Sequence, residues 1–196
     1  MTEEKRLHDQ DSEKGTTSEM PRTPKKVGGF VEFLVILAVA FVLVFGFVRP
    51  FVLEAFRIPS ESMVPTLLVG DRVFVNKFIY RFTEPERGDV VVFESVNGGE
   101  EDLIKRIVAV AGDEIEVRNG TLLVNREEQE EPYLNENPPF TGSYEPTEVP
   151  EEHVFVMGDN RANSADSRVF GPLPVENIEG EAFMRFWPVP EIKSLL

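Results

Sequence analysis

The chain has 196 residues, a formal net charge of −15 and no cysteine, and these properties exclude several kinds of protein. Without cysteine there are no disulfide bonds, no thiolate metal sites and no cysteine nucleophile. An acidic chain is unsuited to nucleic acid, because phosphate binding needs clustered lysine and arginine. There are only two histidines, which excludes a histidine-rich metal site, and we expect neither a metal nor another cofactor.

The N-terminal tail, residues 1–27, is polar and of mixed charge, and we predict that it is disordered. Three basic residues, Arg22, Lys25 and Lys26, lie close to the apolar run that follows. The positive-inside rule places such a cluster in the cytoplasm, so we predict a cytoplasmic tail.

The apolar run is free of charge from residue 33 to residue 48. We predict a single transmembrane helix over residues 28–49, because about 20 helical residues cross a bilayer core of about 30 Å. A cleavable signal peptide is the first alternative. The length of the run disfavours it, as do Arg49, Pro50 and Phe51 where small residues should precede a cleavage site. A buried core helix is the second alternative, and the flanking charges disfavour it.

The body, residues 50–196, shows period-two alternation with many β-branched residues, which predicts an all-β domain. Asn119-Gly120 is typical of a two-residue hairpin turn. Residues 125–153 are rich in Glu, Pro and Asn, and we predict a long loop or a small insertion there. The predicted strands cover residues 72–79, 89–93, 103–110, 114–117, 121–124, 154–157 and 182–187.

Three polar segments of the body carry candidate chemistry. In the first, Ser60 and Ser62 flank Glu61. In the second, Lys105 and Arg106 are adjacent in a predicted strand, where alternation directs their side chains to opposite faces. The third, residues 158–168, is a polar turn that follows the strand at 154–157.

A serine nucleophile needs a proton acceptor, and the sequence offers few. His8 lies in the tail, so a histidine base would have to be His153. A neutral lysine is the other candidate, and Lys105 lies among apolar residues that could lower its pKa from about 10.4 towards 7. Residue chemistry alone does not establish a serine–lysine pair. Serines are common in loops, and a lysine at a strand edge is usually solvated, so the same pattern could have no catalytic role.

The three segments, in this order and spacing, resemble the bacterial type I signal peptidases (leader peptidases), which are membrane-anchored serine proteases. The resemblance extends from the anchor to about residue 188, and it implies a mainly β fold in which one transmembrane helix precedes an all-β catalytic domain. Three positions depart from the usual motifs, and their effect is open: Ala109, Ala111 and Ala162.

The resemblance also implies residue roles. Ser62 corresponds to the nucleophile and Lys105 to the general base, while Ser60 corresponds to an oxyanion donor beside the Ser62 N–H. Ser164 corresponds to a residue that hydrogen-bonds and orients the lysine. The expected supporting residues are Arg106, Asp159, Asn163, Asp166 and Arg168. The expected substrate-pocket residues are Phe56, Ile58, Met63, Leu67 and Ile104, and ordinary core packing is the alternative for each.

The implied function is removal of signal peptides from exported preproteins. The implied location is the bacterial plasma membrane, with residues 50–196 on the outer side. The expected partners are signal-peptide-bearing preproteins and the lipid bilayer, with the secretion translocon as a further candidate. Two rivals remain. A self-cleaving Ser/Lys repressor should carry a DNA-binding region where this chain has an apolar run. A non-catalytic anchored β-domain that scaffolds other envelope proteins would use the serines only as turn formers.

Overall fold

The computed structural model describes residues 29–48, 53–96, 98–99, 101–134 and 140–195. Helix α1, Gly29–Leu43, continues as a π-helical turn, Val44–Val48. Among the described residues, one helix is long and apolar enough to cross a membrane, Gly29–Gly46, with a mean hydropathy of 2.6. The predictions for the tail and for residues 28 and 49 fall outside the described residues.

The described part of the body is mainly β, as predicted, with one short α-helix and three 3-10 turns, Ile79–Arg81, Val175–Asn177 and Val189–Glu191. Helix α2 is Ser167–Phe170. The strands are β1 Leu53–Arg57, β2 Arg72–Asn76, β3 Val90–Phe93, β4 Leu103–Val110, β5 Glu114–Arg118, β6 Thr121–Val124, β7 Glu127–Glu128, β8 Tyr144–Glu148, β9 His153–Met157, β10 Leu173–Pro174, β11 Ile178–Trp187 and β12 Lys193–Ser194.

The strands form two antiparallel sheets. The larger has the order β1-β2-β11-β3-β4-β9-β10, with β12 paired to β11, and the smaller has the order β7-β6-β5-β8. Strand β4 lies inside the larger sheet, between β3 and β9, and six of its eight residues are buried. This central position explains why both Lys105 and Arg106 are buried, although neighbouring side chains on a strand point to opposite faces.

The predicted hairpin between β5 and β6 is confirmed. Asn119 and Gly120 have φ values of 51° and 90°, as a type I′ turn requires. Strand β2 is shorter than predicted and ends at Asn76, whose side-chain oxygen accepts a hydrogen bond from the Phe78 N–H at 3.0 Å. This local side-chain bond turns the backbone away from the sheet.

Five strands were not predicted, namely β1, β7, β8, β10 and β12, and the two longest of them, β1 and β8, lie at sheet edges. Strand β1 ends the order of the larger sheet and β8 ends that of the smaller, and most of their residues are exposed. An exposed edge strand needs no apolar alternation, and it tolerates a proline such as Pro146. The segment 125–153, predicted as a loop or small insertion, therefore contributes strands β7 and β8 to the smaller sheet.

Candidate active site

The loop between β1 and β2 carries Ser60 and Ser62, and backbone hydrogen bonds close its base. The Ile58 N–H donates to the Asp71 carbonyl and the Gly70 N–H donates to the Ile58 carbonyl, each at 2.9 Å. Within the loop, Met63 and Leu67 are fully buried in the core. The loop is thus fixed at its base and at two apolar side chains, which gives the serines between them a defined position.

Lys105 from strand β4 meets Ser62 inside this loop. Its Nζ donates to Ser62 Oγ at 2.8 Å and to the Ile104 carbonyl at 2.7 Å. Lys105 is 2% exposed and Ser62 7% exposed. Ser60 is exposed, and its Oγ lies 3.3 Å from Ser62 Oγ. A hydroxyl within direct hydrogen-bond reach of a buried amine is the arrangement that serine activation requires.

Burial changes the acidity of the Lys105 ammonium. Desolvation lowers the pKa of Lys105 to about 8, although the carboxylates of Asp166 and Asp159 act in the opposite direction. A lysine with that pKa is partly neutral near neutral pH and can accept a proton. His153 offers no comparable arrangement, because its Nδ1 pairs with the Glu151 carbonyl at 2.7 Å.

Strand β9 leads into the third motif, where Asp159 pairs with Arg106. Arg106 Nε and Nη2 reach the two Asp159 oxygens at 3.0 and 2.8 Å, and both side chains are buried. Arg106 Nη1 also donates to the Gly88 carbonyl at 2.8 Å, and Thr66 Oγ1 donates to Asp159 at 2.5 Å. Asp159 therefore connects the strand of the lysine to the loop of the serine.

The turn after β9 also contacts the backbone of the serine loop. The Asn160 N–H donates to the Ser62 carbonyl at 2.9 Å, and its side-chain amide donates to the Glu61 carbonyl at 3.1 Å. Asn163 lies farther out, with its amide 3.5 Å from a Glu61 carboxylate oxygen. A methyl group on Gly158 would lie 2.5 Å from the Ser62 carbonyl oxygen. Only glycine allows this approach.

Asp166 and Arg168 stabilise the same turn from its far end. Asp166 accepts from the Gly158 N–H at 3.0 Å, and it caps helix α2 through the Arg168 N–H. Arg168 Nε and Nη2 reach the Asp166 carboxylate at 2.8 and 2.7 Å. Burial alone would raise the pKa of Asp166, but the hydrogen bonds and charge of Arg168 outweigh it and lower that pKa.

Ser164 does not form the expected bond to the lysine. Its Oγ is buried, packs against Gly158 and lies near Asp166, but it has no hydrogen-bond partner of normal geometry among the described residues. The hydrogen bonds of Lys105 Nζ go instead to Ser62 Oγ and the Ile104 carbonyl. The orienting role of Ser164 and the oxyanion role of Ser60 remain predictions.

The predicted pocket residues come together in one apolar cluster. Ile58, Met63, Leu67 and Ile104 are at most 4% exposed, and the partly buried Phe56 packs against them. The cluster also contains core residues of β2, β3 and β11. The structure thus places them in the core formed by the serine loop and the strands around it, and their contact with substrate stays a prediction.

The three motif departures have different surroundings. Ala109 is fully buried against the smaller sheet's residues, whereas Ala111 and Ala162 are exposed. In the turn after β4, which contains Ala111, Gly112 takes a φ of 81° and Asp113 accepts from the Val110 N–H at 2.9 Å. None of the three side chains forms part of the Ser62–Lys105 contact.

Several residues of the site were not singled out from the sequence. Gly158, Asn160 and Arg161 belong to the third motif, so their position in the polar turn was a usable signal. Thr66 and Glu131 offered none, because their partners Asp159 and Arg161 are distant in sequence. Among the described residues, no group of three or more histidine, aspartate or glutamate side chains is placed to hold a metal ion.

Comparisons with known proteins find similar sequences. Residues 30–187 match the family model "Signal peptidase, peptidase S26". The chain is 42% identical over 164 residues to a probable signal peptidase I-2 of Synechocystis sp., covering 81% of this chain and 74% of the relative.

Two other relatives give the same picture. A signal peptidase I of Leptolyngbya laminosa is 39% identical over 179 residues, covering 88% of this chain and 87% of the relative. Signal peptidase IB of Staphylococcus aureus is 38% identical, covering 83% of this chain and 92% of the relative. The family match takes in both serines, the buried lysine and the polar turn that joins them, and the chain therefore belongs to the signal peptidases of peptidase family S26.

Proposed function

We propose that this chain is a membrane-anchored serine endopeptidase that removes N-terminal signal peptides from exported preproteins, with Ser62 as nucleophile and Lys105 as general base. One observation carries the assignment of the two residues. The buried Lys105 Nζ lies 2.8 Å from Ser62 Oγ, and its pKa is lowered to about 8. This contact supplies a nucleophile and a base without any histidine.

The reaction follows from that contact. Neutral Lys105 accepts the Ser62 hydroxyl proton while Oγ bonds to the scissile carbonyl carbon. The resulting oxyanion is stabilised by the Ser62 N–H and the Ser60 hydroxyl. The intermediate collapses when the C–N bond breaks and Lys105 returns the proton to the leaving amine. Water then attacks the carbonyl carbon of the Ser62 ester and gives one proton to Lys105. The C–O bond to Ser62 breaks, Lys105 returns that proton to Ser62 Oγ, and the product leaves as a carboxylic acid that ionises in solvent.

The apolar helix Gly29–Gly46 supports the membrane part of the proposal. In this account the tail is cytoplasmic and residues 50–196 face outward, where the cleavage site of an exported preprotein emerges from the bilayer. The lipid bilayer and the secretion translocon are the partners expected at that place. Small residues at the first and third positions before the cut are expected to be preferred.

A cleavage assay tests the proposal directly. The full chain in detergent or liposomes is mixed with a preprotein, and the product is identified by its new N-terminus. We expect cleavage by wild type and by His153→Ala, and none by Ser62→Ala or Lys105→Ala, although all fold. A double variant should be little worse than either single one, because the two residues act as a unit. Full activity in Ser62→Ala would overturn the assignment.

The non-catalytic scaffold is not favoured, because the relatives above are named as signal peptidases. The self-cleaving repressor is not favoured either. Of the residues described before the serine loop, Gly29–Leu43 form an apolar helix, which is not the DNA-binding region that such a repressor would need.

A further inference from the structure

Two residues outside the three motifs contact arginines of the site. One arginine is Arg106, which pairs with Asp159, and the other is Arg161 of the polar turn. Glu131 and Tyr133 follow strand β7 in the segment that the sequence analysis treated as a loop or insertion. Arg161 Nη1 donates to Glu131 at 2.8 Å, and Arg161 Nη2 reaches the other carboxylate oxygen. Tyr133 Oη donates to Glu131 at 2.8 Å.

The Glu131–Arg161 pair is buried. The side chains are 8% and 4% exposed, whereas in the Arg118–Glu116 pair of the smaller sheet the arginine is 63% exposed and the glutamate 18% exposed. A surface ion pair contributes little, but a buried one leaves an unpaired charge when one member is removed. The buried pair is therefore a sensitive contact, and the partly exposed Arg118–Glu116 pair is the control.

Each arginine is connected to the residues that place the nucleophile and the base. Arg161 Nε donates to the Gly158 carbonyl at 3.1 Å, next to the Asn160 N–H that binds the Ser62 carbonyl. Arg106 follows Lys105 in strand β4, and its guanidinium lies 4.1 Å from the centre of the Tyr133 ring. Glu131 and Tyr133 thus contact the polar turn and the lysine strand at once.

We propose that Glu131 and Tyr133 are positioning residues for the peptidase reaction, which act through Arg161 and Arg106 on the Ser62 carbonyl and the Lys105 strand. The inference rests on the proposed function. It assigns to a segment outside the motifs a part in aligning Ser62 with Lys105. Loss of alignment lowers the rate of the chemical step more than it weakens substrate binding.

The test compares full-length variants by kcat and KM per folded enzyme, well below each melting temperature. We expect Glu131→Gln to lower kcat about tenfold and leave KM within about twofold. Glu131→Asp, which keeps the charge, should recover part of the loss. Tyr133→Phe keeps the ring over Arg106 and should lose less activity than Tyr133→Leu. Glu116→Gln removes the partner of the exposed Arg118, outside the three motifs, and should match wild type.

The outcomes separate the two proposals. If wild type and Glu116→Gln cleave the preprotein and Glu131→Gln has their kcat, with only its melting temperature lowered, the pair is structural and the inference is overturned. If wild type does not cleave at all, the proposed function fails, and the inference fails with it. If Glu131→Gln does not fold, the kcat of Tyr133→Leu is compared with that of wild type instead. A wild-type kcat in Tyr133→Leu would then overturn the inference.

Discussion

The burial of one lysine has opposite consequences for catalysis and for stability. Lys105 is 2% exposed, and its pKa is lowered to about 8. Burial favours the neutral amine that can act as a base, but below that pH it forces a charged group into the core. The same side chain should therefore be required for activity and unfavourable for folding.

Replacing Lys105 by methionine should stabilise the protein at low pH. In the unfolded chain the lysine titrates near 10.4, so below pH 8 it is charged in both states and only the folded state is penalised, by about 3 kcal/mol. As pH rises from 8 to 10 the folded lysine loses its proton first, and the penalty disappears. Thermal unfolding of wild type and Lys105→Met should thus differ most near pH 6 and least near pH 10. An equal difference at both pH values would contradict the lowered pKa.

Gly158 limits how closely the polar turn approaches the nucleophile. In Gly158→Ala the new methyl would lie 2.3 Å from Ser164 Oγ and 2.5 Å from the Ser62 carbonyl oxygen, so the backbone of Ser62 has to move. We expect kcat/KM to fall about 100-fold, as for a displacement of about 1 Å in a catalytic group. Gly46→Ala, which adds a methyl where no atom lies within 4 Å, is the control. Wild-type kinetics in Gly158→Ala would show that the turn does not constrain Ser62.

At the scale of elements, the smaller sheet separates into a hairpin and a segment that contacts the site. The β5–β6 hairpin contributes no residue to the Ser62–Lys105 contact, whereas the residues after β7 contact Arg161 and Arg106. Damage to the hairpin turn should therefore lower stability and leave the chemistry intact.

Gly120→Ala tests this separation. Gly120 has a φ of 90°, and a methyl there would lie 1.8 Å from the Phe140 carbonyl oxygen. We expect a loss of at least about 1 kcal/mol in the free energy of unfolding. At a temperature where the variant is folded, kcat/KM should equal that of wild type. Asn119→Gly places another residue that tolerates positive φ at position 119, so it should cost little stability. If folded Gly120→Ala lost activity, the result would show that the hairpin influences the active site.

The strands that the sequence predicts are those with buried apolar residues, whether burial alternates along the strand, as in β5 and β6, or is continuous, as in β3, β4 and β9. Strands such as β5 and β6 alternate buried and partly exposed residues, and their positions were predicted closely. Strands β1 and β8 lie at edges and carry no such pattern. A similar distinction holds for the site, between residues in local motifs and residues whose partners are distant in sequence. Ser62 and Lys105 belong to local motifs, whereas the Glu131–Arg161 pair joins positions 30 apart in the chain, which no local pattern reveals.

At the scale of the whole molecule, the proposal depends on where each part lies relative to the membrane. The tail carries the basic cluster Arg22, Lys25 and Lys26, and the helix Gly29–Gly46 follows it. A cytoplasmic tail leaves the serine loop on the outer side, where exported preproteins arrive.

Protease protection tests this orientation. Protease added to intact spheroplasts should degrade residues 60–196 and spare the tail, as detected with antibodies to each part. Permeabilised spheroplasts, in which both parts are accessible, are the control. Protection of the body with loss of the tail would invert the orientation and place Ser62 where no exported substrate reaches it.

The central claim is that Lys105 in its neutral form activates Ser62, and the pH dependence of kcat/KM tests it most directly. Lys105 is active only after losing its proton, so the rising limb should follow a group with a pKa of about 8 in the free enzyme. The measurement is repeated with Lys105→His, whose imidazole titrates nearer 6.5 and is shorter than the lysine side chain. We predict that this variant loses most of its activity and that any remaining limb moves to lower pH. A Lys105→His enzyme with wild-type activity and an unchanged limb would contradict the claim.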